Sequence, residues 1–149
     1  MIFTLSSESF KYGKSIPPTF SCEGEDLSPA LEWQNVPPET ESFALIMDDP
    51  DAPSGTWVHW LVYDIPGKLV GFGKGGSAGR DGLNSWGREG YGGPCPPRGH
   101  GAHRYFFKLY ALDTITLDLP SGATVGEVKT AINGHVLAVA EYMGTYERK

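Results

Sequence analysis

The stretch from Trp57 to Ile65, WVHWLVYDI, decides the fold class. It is an unbroken series of aromatic, β-branched and aliphatic residues with one histidine and one acid, and it stops at Pro66-Gly67. β-Branched and aromatic side chains pack well on a pleated, buried surface and lose rotamer freedom in a helix, so the run reads as a strand. His103 to Leu112, HRYFFKLYAL, has the same character, and Phe43 to Asp49, FALIMDD, is a shorter apolar run that ends in acid. Leu31 to Val36, LEWQNV, alternates and makes a fourth strand. With 20 glycines and 12 prolines splitting the chain into short apolar runs, the pattern predicts a mainly β fold with helices confined to the C-terminal end.

Two short helices are expected there. Thr124 and Glu127 have capping-box spacing, Val125, Val128, Ala131 and Ile132 fall on one helical face, and Asn133-Gly134 supplies a stop. From His135 onward, Val136, Val139, Ala140 and Met143 recur at helical spacing and predict a second helix.

A length of 149 residues predicts one domain spanning 1–149. The net charge of -6 argues against a sequence-independent nucleic-acid binder, whose affinity comes from phosphate-neutralising Lys and Arg. No run of about 18 apolar residues occurs and no basic flank precedes an apolar segment at the N-terminus, so the expectation is a cytoplasmic protein without a transmembrane segment. Two cysteines, Cys22 and Cys95, cannot build a disulfide framework.

Of the 20 glycines, 12 fall between Gly71 and Gly101, together with Pro94, Pro96 and Pro97. A loop of that length is expected to be functional, with Phe72, Trp86 and Tyr91 packing it and an edge strand around Ser85 to Gly87. Several motifs match here by composition. Gly71, Gly73 and Gly76 satisfy GxGxxG without the strand-to-helix setting a dinucleotide needs. Gly75 to Gly79 satisfies GxSxG around Ser77, with Asp113 and His135 in hydrolase order, again without the strained elbow. Cys95, with His59, His100 and His103 as candidate partners, lies between Pro94 and Pro96, a rigid setting that suits shape more than attack, and reads as a small buried residue. His59, His100, His103, Asp49 and Asp51 carry metal-ligand atoms, but His100-Gly-Ala-His103 is not helical HExxH spacing, so no metal and no cofactor are assigned.

Strand parity favours a different constellation. His103 and Tyr105 share a face about 6.6–6.8 Å apart, with Arg104 opposite, and His59 shares its face with Trp57 and Leu61. Asp49 ends its strand at Pro50-Asp51-Ala52-Pro53, where two prolines stiffen a turn. If these strands are neighbours, Asp49, His59, His103, Tyr105 and the Pro96-Pro97 wall meet at one sheet end. Imidazole N–H and phenol O–H groups would hold a small anion while Asp49 orients an imidazole. Binding of a phosphomonoester would then peak where histidine charge and the second phosphate charge cross, near pH 6 to 6.5. Asp51 and Arg104 are expected in a structural role, as an ion pair or bonded to the backbone.

The segments DDPDAPSGTWVHWLVYDIP (Asp48 to Pro66) and GYGGPCPPRGHGAHRYFFKLYALD (Gly90 to Asp113) resemble the signature blocks of the phosphatidylethanolamine-binding protein family, in particular its bacterial and archaeal Raf-kinase-inhibitor-like branch. Weaker pieces at Cys22 to Trp33 and Gly134 to Tyr146 extend the similarity along the chain. The resemblance implies antiparallel β-sheets with Greek-key character and a small anion pocket formed by Asp49, His59, Pro96, Pro97, His103 and Tyr105, supported by Asp51, Pro53 and Arg104. It also implies a cis peptide at Ala52-Pro53 and no catalytic activity. The expected ligand is a phosphate, a phosphorylated headgroup or a carboxylate. The rival reading is a protein-interaction module that inhibits a protease or kinase; a hydrolase on Ser77 or Cys95 is the third. Self-association as a homodimer stays open, as does any role for Cys95 and His100.

Overall fold

The computed structural model describes residues 1–149 as eight strands, one α-helix and a single 3-10 turn at Pro18–Phe20. Strands β1 (Thr4–Ser6), β2 (Leu31–Gln34) and β5 (Gly71–Phe72) form a small sheet in the order β1-β2-β5. Strands β3 (Ser42–Asp49), β4 (Trp57–Pro66), β6 (Arg80–Asp81), β7 (His103–Leu112) and β8 (Val136–Tyr146) form a larger one in the order β6-β4-β3-β7-β8. Every pairing is antiparallel. β3, β4 and β6 lie side by side, and the chain then returns across them to lay β7 beside β3, which is Greek-key order. That return connection is the glycine-rich loop.

The two sheets bury the larger core between them. Phe3, Leu5, Leu31, Trp33 and Phe72 come from the small sheet and its N-terminal lead-in, and Phe43, Leu45, Met47, Trp60, Val62, Phe107 and Leu109 from the large one. Each such side chain contributes about 1.5–3 kcal/mol on leaving water. Helix α1 (Val125–Ile132) closes the other face of the large sheet, placing Val128 and Ile132 with Ile46, Leu61 and Tyr63. It starts as expected: Thr124 Oγ1 accepts from Glu127 N–H, and the Glu127 carboxylate accepts from Thr124 N–H.

β7 follows the strand parity read from the sequence, but β4 does not. Met47 faces Trp60 and Asp48 faces Val58, so His59 is the extra residue of a β-bulge. A bulge resets parity. Trp60 and Val62 therefore lie on the inter-sheet face with Trp57 and His59, while Leu61 turns to the α1 face and does not share a side with His59.

The second predicted helix is β8 instead. Val136 and Val139, which helical spacing would bury, are exposed, and Ala140, Tyr142, Gly144 and Tyr146 alternate into the core. Pairing with β7 from His103↔Tyr146 to Leu112↔Val136 outweighs local periodicity. A Cβ on Gly144 would lie 2.5 Å from the Phe10 ring and 2.7 Å from Ile16, so the strand passes where only glycine fits.

Three smaller expectations also change. The loop pairs at Arg80–Asp81 with β4 and at Gly71–Phe72 with β2, while Ser85 to Gly87 is a turn around Asn84, whose side chain accepts from the N–H groups of Trp86 and Arg88. Ala52-Pro53 is trans, like every other peptide bond in the chain. Cys95 is not a free buried thiol: it is bonded to Cys22 across a sequence separation of 73. The spacing of two distant cysteines carries no pairing signal, because only the fold brings their Cα atoms to 5.5 Å.

Candidate functional site

In antiparallel neighbours the end of one strand adjoins the start of the next, and this brings the end of β3 together with the starts of β4 and β7. Asp49, Trp57, His59, His103 and Tyr105 accordingly surround one cavity of about 240 Å³. The turn after β3 lines it with Ala52, Pro53 and Ser54, and the glycine-rich loop with Trp86, Cys95, Pro96 and Pro97. Asp51 and Arg104 sit outside the lining.

The turn and loop are pinned by the same residues that shape the cavity. Asp49 Oδ1 accepts from Asp51 N–H at 2.8 Å, folding the chain back after the strand. Asp51 accepts from the Arg104 backbone N–H and Nε at 2.9 Å and from its Nη2 at 2.8 Å, the ion pair expected from sequence. The Arg104 guanidinium holds the Asp51 carboxyl at about 2. On the loop, Gly93 N–H donates to Asp26 Oδ1, and a Cβ on Gly93 would lie 2.2 Å from the Phe20 carbonyl oxygen. Pro96 O accepts from Arg148 Nε at 2.7 Å.

The histidines are committed in ways their sequence positions do not reveal. His103 Nδ1–H donates to Asp49 Oδ2 at 2.7 Å, since a carboxylate only accepts. Its Nε2 is 2.6 Å from His100 Nδ1. Both ring nitrogens of His103 are therefore used inside the protein, and His103 lines the cavity without a free N–H to offer it. His59 Nδ1–H donates to the Gly92 carbonyl at 2.8 Å. Burial lowers the His59 pKa, opposed by the Gly92 carbonyl and the Asp49 carboxylate, so the ring is neutral at pH 7 and Nε2 carries a lone pair. His59 therefore brings no charge to an anion at neutral pH.

The free donors lie elsewhere. Tyr105 Oη and Trp57 Nε1 are both buried and neither has a hydrogen-bond partner. Burial, then the charge of the Asp49 carboxylate and the approach of the hydroxyl to it, raises the Tyr105 pKa, so the hydroxyl stays protonated, near Asp49 but short of hydrogen-bond geometry with it. Sequence reasoning placed Tyr105 at the site but left out Trp57, Trp86 and His100. The shared face of Trp57 and His59 was the available signal for the first. Trp86 stands edge-on to His59 at 5.0 Å and to Trp57 at 5.5 Å, walling the cavity from the loop side.

The remaining rivals separate in space. Asp113 and His135 do bond, at 2.8 Å, but both are surface residues, and the Ser77 hydroxyl is not a partner of either. Cys95 is consumed by its disulfide. The metal-ligand atoms of Asp49, His103 and His100 are bonded to one another, and Asp51 to Arg104. No helix is long and apolar enough to cross a membrane.

A family model described as phosphatidylethanolamine-binding protein matches residues 6–147. A UPF0098 protein of Aquifex aeolicus is 51% identical over 153 residues, covering 99% of this chain and 90% of its own length. Among solved structures, the phosphatidylethanolamine-binding protein homologue CT736 of Chlamydia trachomatis superposes with a TM-score of 0.94 at 40% identity, covering 99% of both chains. E. coli YbcL, described as a member of the mammalian PEBP family, gives 0.92 at 34% identity over 100% of both.

Proposed function

The chain belongs to the phosphatidylethanolamine-binding protein family, and on that premise we propose that it is a non-enzymatic binding protein whose cavity holds one small oxyanion, a phosphate, a phosphorylated headgroup or a carboxylate. The observation that supports this is the pair of buried, unpartnered donors, Tyr105 Oη and Trp57 Nε1, at a cavity of about 240 Å³. A buried donor without a partner costs about 1–3 kcal/mol, which a ligand oxygen recovers. A few such bonds, set against desolvation and lost freedom, give dissociation constants of about millimolar to micromolar. Asp49, His103 and the Asp51–Arg104 pair act as the frame, and Pro96 and Pro97 as a stiff wall.

The test is a pair of NMR titrations, wild type and Tyr105→Phe, with phosphate, phosphoethanolamine and acetate. Saturable shifts at Trp57, His59 and Tyr105 are expected in the wild type, with affinity about five- to tenfold weaker in the variant, roughly 1–1.4 kcal/mol. The variant removes only an unpartnered hydroxyl, so its stability should not fall. Absence of shifts at tens of millimolar would overturn the reading in favour of a protein-interaction module. The Cys22–Cys95 bond supports, as part of this proposal, an oxidising compartment rather than the cytoplasm expected from sequence.

A further inference from the structure

The cavity offers donors and an acceptor, and it offers no fixed cation. Its lining contains no Lys or Arg, and the formal negative charge there is Asp49, which is 3% exposed and bonded to His103. Arg104 is bound to Asp51, and Arg148 uses its Nε on Pro96 O behind the wall. Among the polar groups left for a ligand, Tyr105 Oη and Trp57 Nε1 donate, whereas His59, with its Nδ1–H held by the Gly92 carbonyl, presents Nε2 as an acceptor. An oxyanion without a proton would set a lone pair against a lone pair at His59 and bring two charges beside a carboxylate.

We propose that the cavity selects the protonated, singly charged form of its oxyanion: an acidic P–O–H donates to His59 Nε2 while Tyr105 and Trp57 donate to the other oxygens. This rests on the reading of the cavity as an oxyanion site and adds to it that His59 determines specificity by accepting a proton-bearing oxygen. The ligand class is a hydrogen phosphate or phosphomonoester monoanion, and sulfate and sulfate esters are rejected although they match it in shape. The groups that face His59 keep it in this state. Asp49 on β3 and Asp26 on the loop before β2 are acids that favour a charged ring, while Tyr105 on β7 and Trp86 on the glycine-rich loop enclose it edge-on at 5.1 and 5.0 Å and desolvate it. Burial is the larger effect and lowers the ring's pKa, and with Nδ1–H held by the Gly92 carbonyl at 2.8 Å the neutral ring turns a bare Nε2 to the cavity.

The experiment compares methyl phosphate with methyl sulfate on the wild-type protein from pH 5.5 to 8 by NMR titration. At pH 5.5 the two probes have the same single charge and nearly the same shape, and only methyl phosphate carries the proton. Methyl phosphate should bind at least tenfold more tightly at pH 5.5, and its affinity should fall about tenfold per pH unit above a second pKa near 6. Equal binding of the two probes at pH 5.5, or a methyl phosphate affinity that is flat or rises toward pH 8, would overturn the proposal while leaving an oxyanion site standing. Failure of both to bind at tens of millimolar would overturn the oxyanion reading itself. Long-range ¹H–¹⁵N spectra provide a ligand-free check: His59 should show a protonated Nδ1 and a bare Nε2 at pH 7, and the opposite tautomer would refute the donor pattern. In His59→Gln, whose side-chain amide can turn an N–H to the ligand, the preference should shrink to within about twofold; an undiminished tenfold preference in a folded variant would assign the selectivity elsewhere.

Discussion

Removing the bond between Cys22 and Cys95 should destabilise the protein more than any single surface change. The bond spans a sequence separation of 73 and ties the Ser21 to Gly24 turn to the proline wall of the cavity. In the chain-entropy picture, a closed loop of that length withholds about 15 cal/mol/K from the unfolded chain, or about 4.4 kcal/mol at 25 °C. The local hydrogen bonds at this junction, Cys22 N–H to Pro94 O at 3.1 Å, Tyr91 Oη–H to Phe20 O at 2.7 Å and Gly93 N–H to Asp26 Oδ1 at 2.8 Å, survive the substitution and keep the folded state in place. The loss therefore arises in the unfolded ensemble. Residual structure there lowers it to about 3–4 kcal/mol, which for a chain of this size is a fall in Tm of roughly 6–16 °C. The assay is urea unfolding followed by tryptophan fluorescence, with thermal melts by circular dichroism, on wild type and Cys22→Ala/Cys95→Ala, after thiol titration has shown that the wild type has no free thiol. A loss below about 1 kcal/mol in the oxidised-versus-variant comparison would refute the reasoning.

Two further predictions concern the helix cap and acid. Thr124→Ala removes one half of the capping box of α1 and should cost about 1 kcal/mol in urea unfolding, and Thr124→Ser should restore most of it; equal stability of all three proteins would show that the cap contributes nothing. On acidification, His59 is neutral in the folded state and titrates near 6.5 in the unfolded chain, so stability should be full above pH 6.5 and decline as the pH falls below it, because only the unfolded chain takes up the proton. Asp51, held at about 2 by Arg104, contributes stability above pH 4 that is lost between pH 4 and 2; Arg104 is 53% exposed, which limits this step to about 1 kcal/mol. Urea midpoints measured from pH 8 to 2 check both, and a midpoint unchanged between pH 8 and 5 would contradict the buried neutral state of His59.

How far the chain could be read in advance depended on which interactions set each element. β7 was legible because His103, Tyr105, Phe107, Leu109 and Ala111 alternate without interruption, and period-two parity is a local property. α1 was legible because its cap is local too. β4 was legible as a strand and misread in its faces, since the bulge at His59 is created by the register against β3, and nothing in WVHWLVYDI marks it. In β8 the window Val-Leu-Ala-Val-Ala-Glu-Tyr-Met supports either period. The choice lay with β7, whose outer edge would otherwise carry unpaired N–H and C=O groups along ten residues. The disulfide belongs with these long-range features.

The site divides along the same line, and the division alters its chemistry. Parity and strand ends were enough to gather Asp49, His59, His103 and Tyr105 around one cavity, but hydrogen-bond partners decide what each can still offer once it is there. His103 reads as a donor until His100, three residues back on a turn bracketed by Gly99 and Gly101, takes its second nitrogen. His59 reads as a donor until the Gly92 carbonyl takes its N–H. Gly92 holds that carbonyl in place because a Cβ there would strike the Trp86 ring at 2.3 Å, so the glycine, the tryptophan wall and the acceptor state of His59 are one structural fact. On the proposed reading, recognition falls to the two buried donors without partners, Tyr105 Oη and Trp57 Nε1, with His103 as frame and His59 as acceptor. On that reading, two donors and one acceptor set around a buried carboxylate distinguish ligands by where their protons sit more than by how much charge they carry.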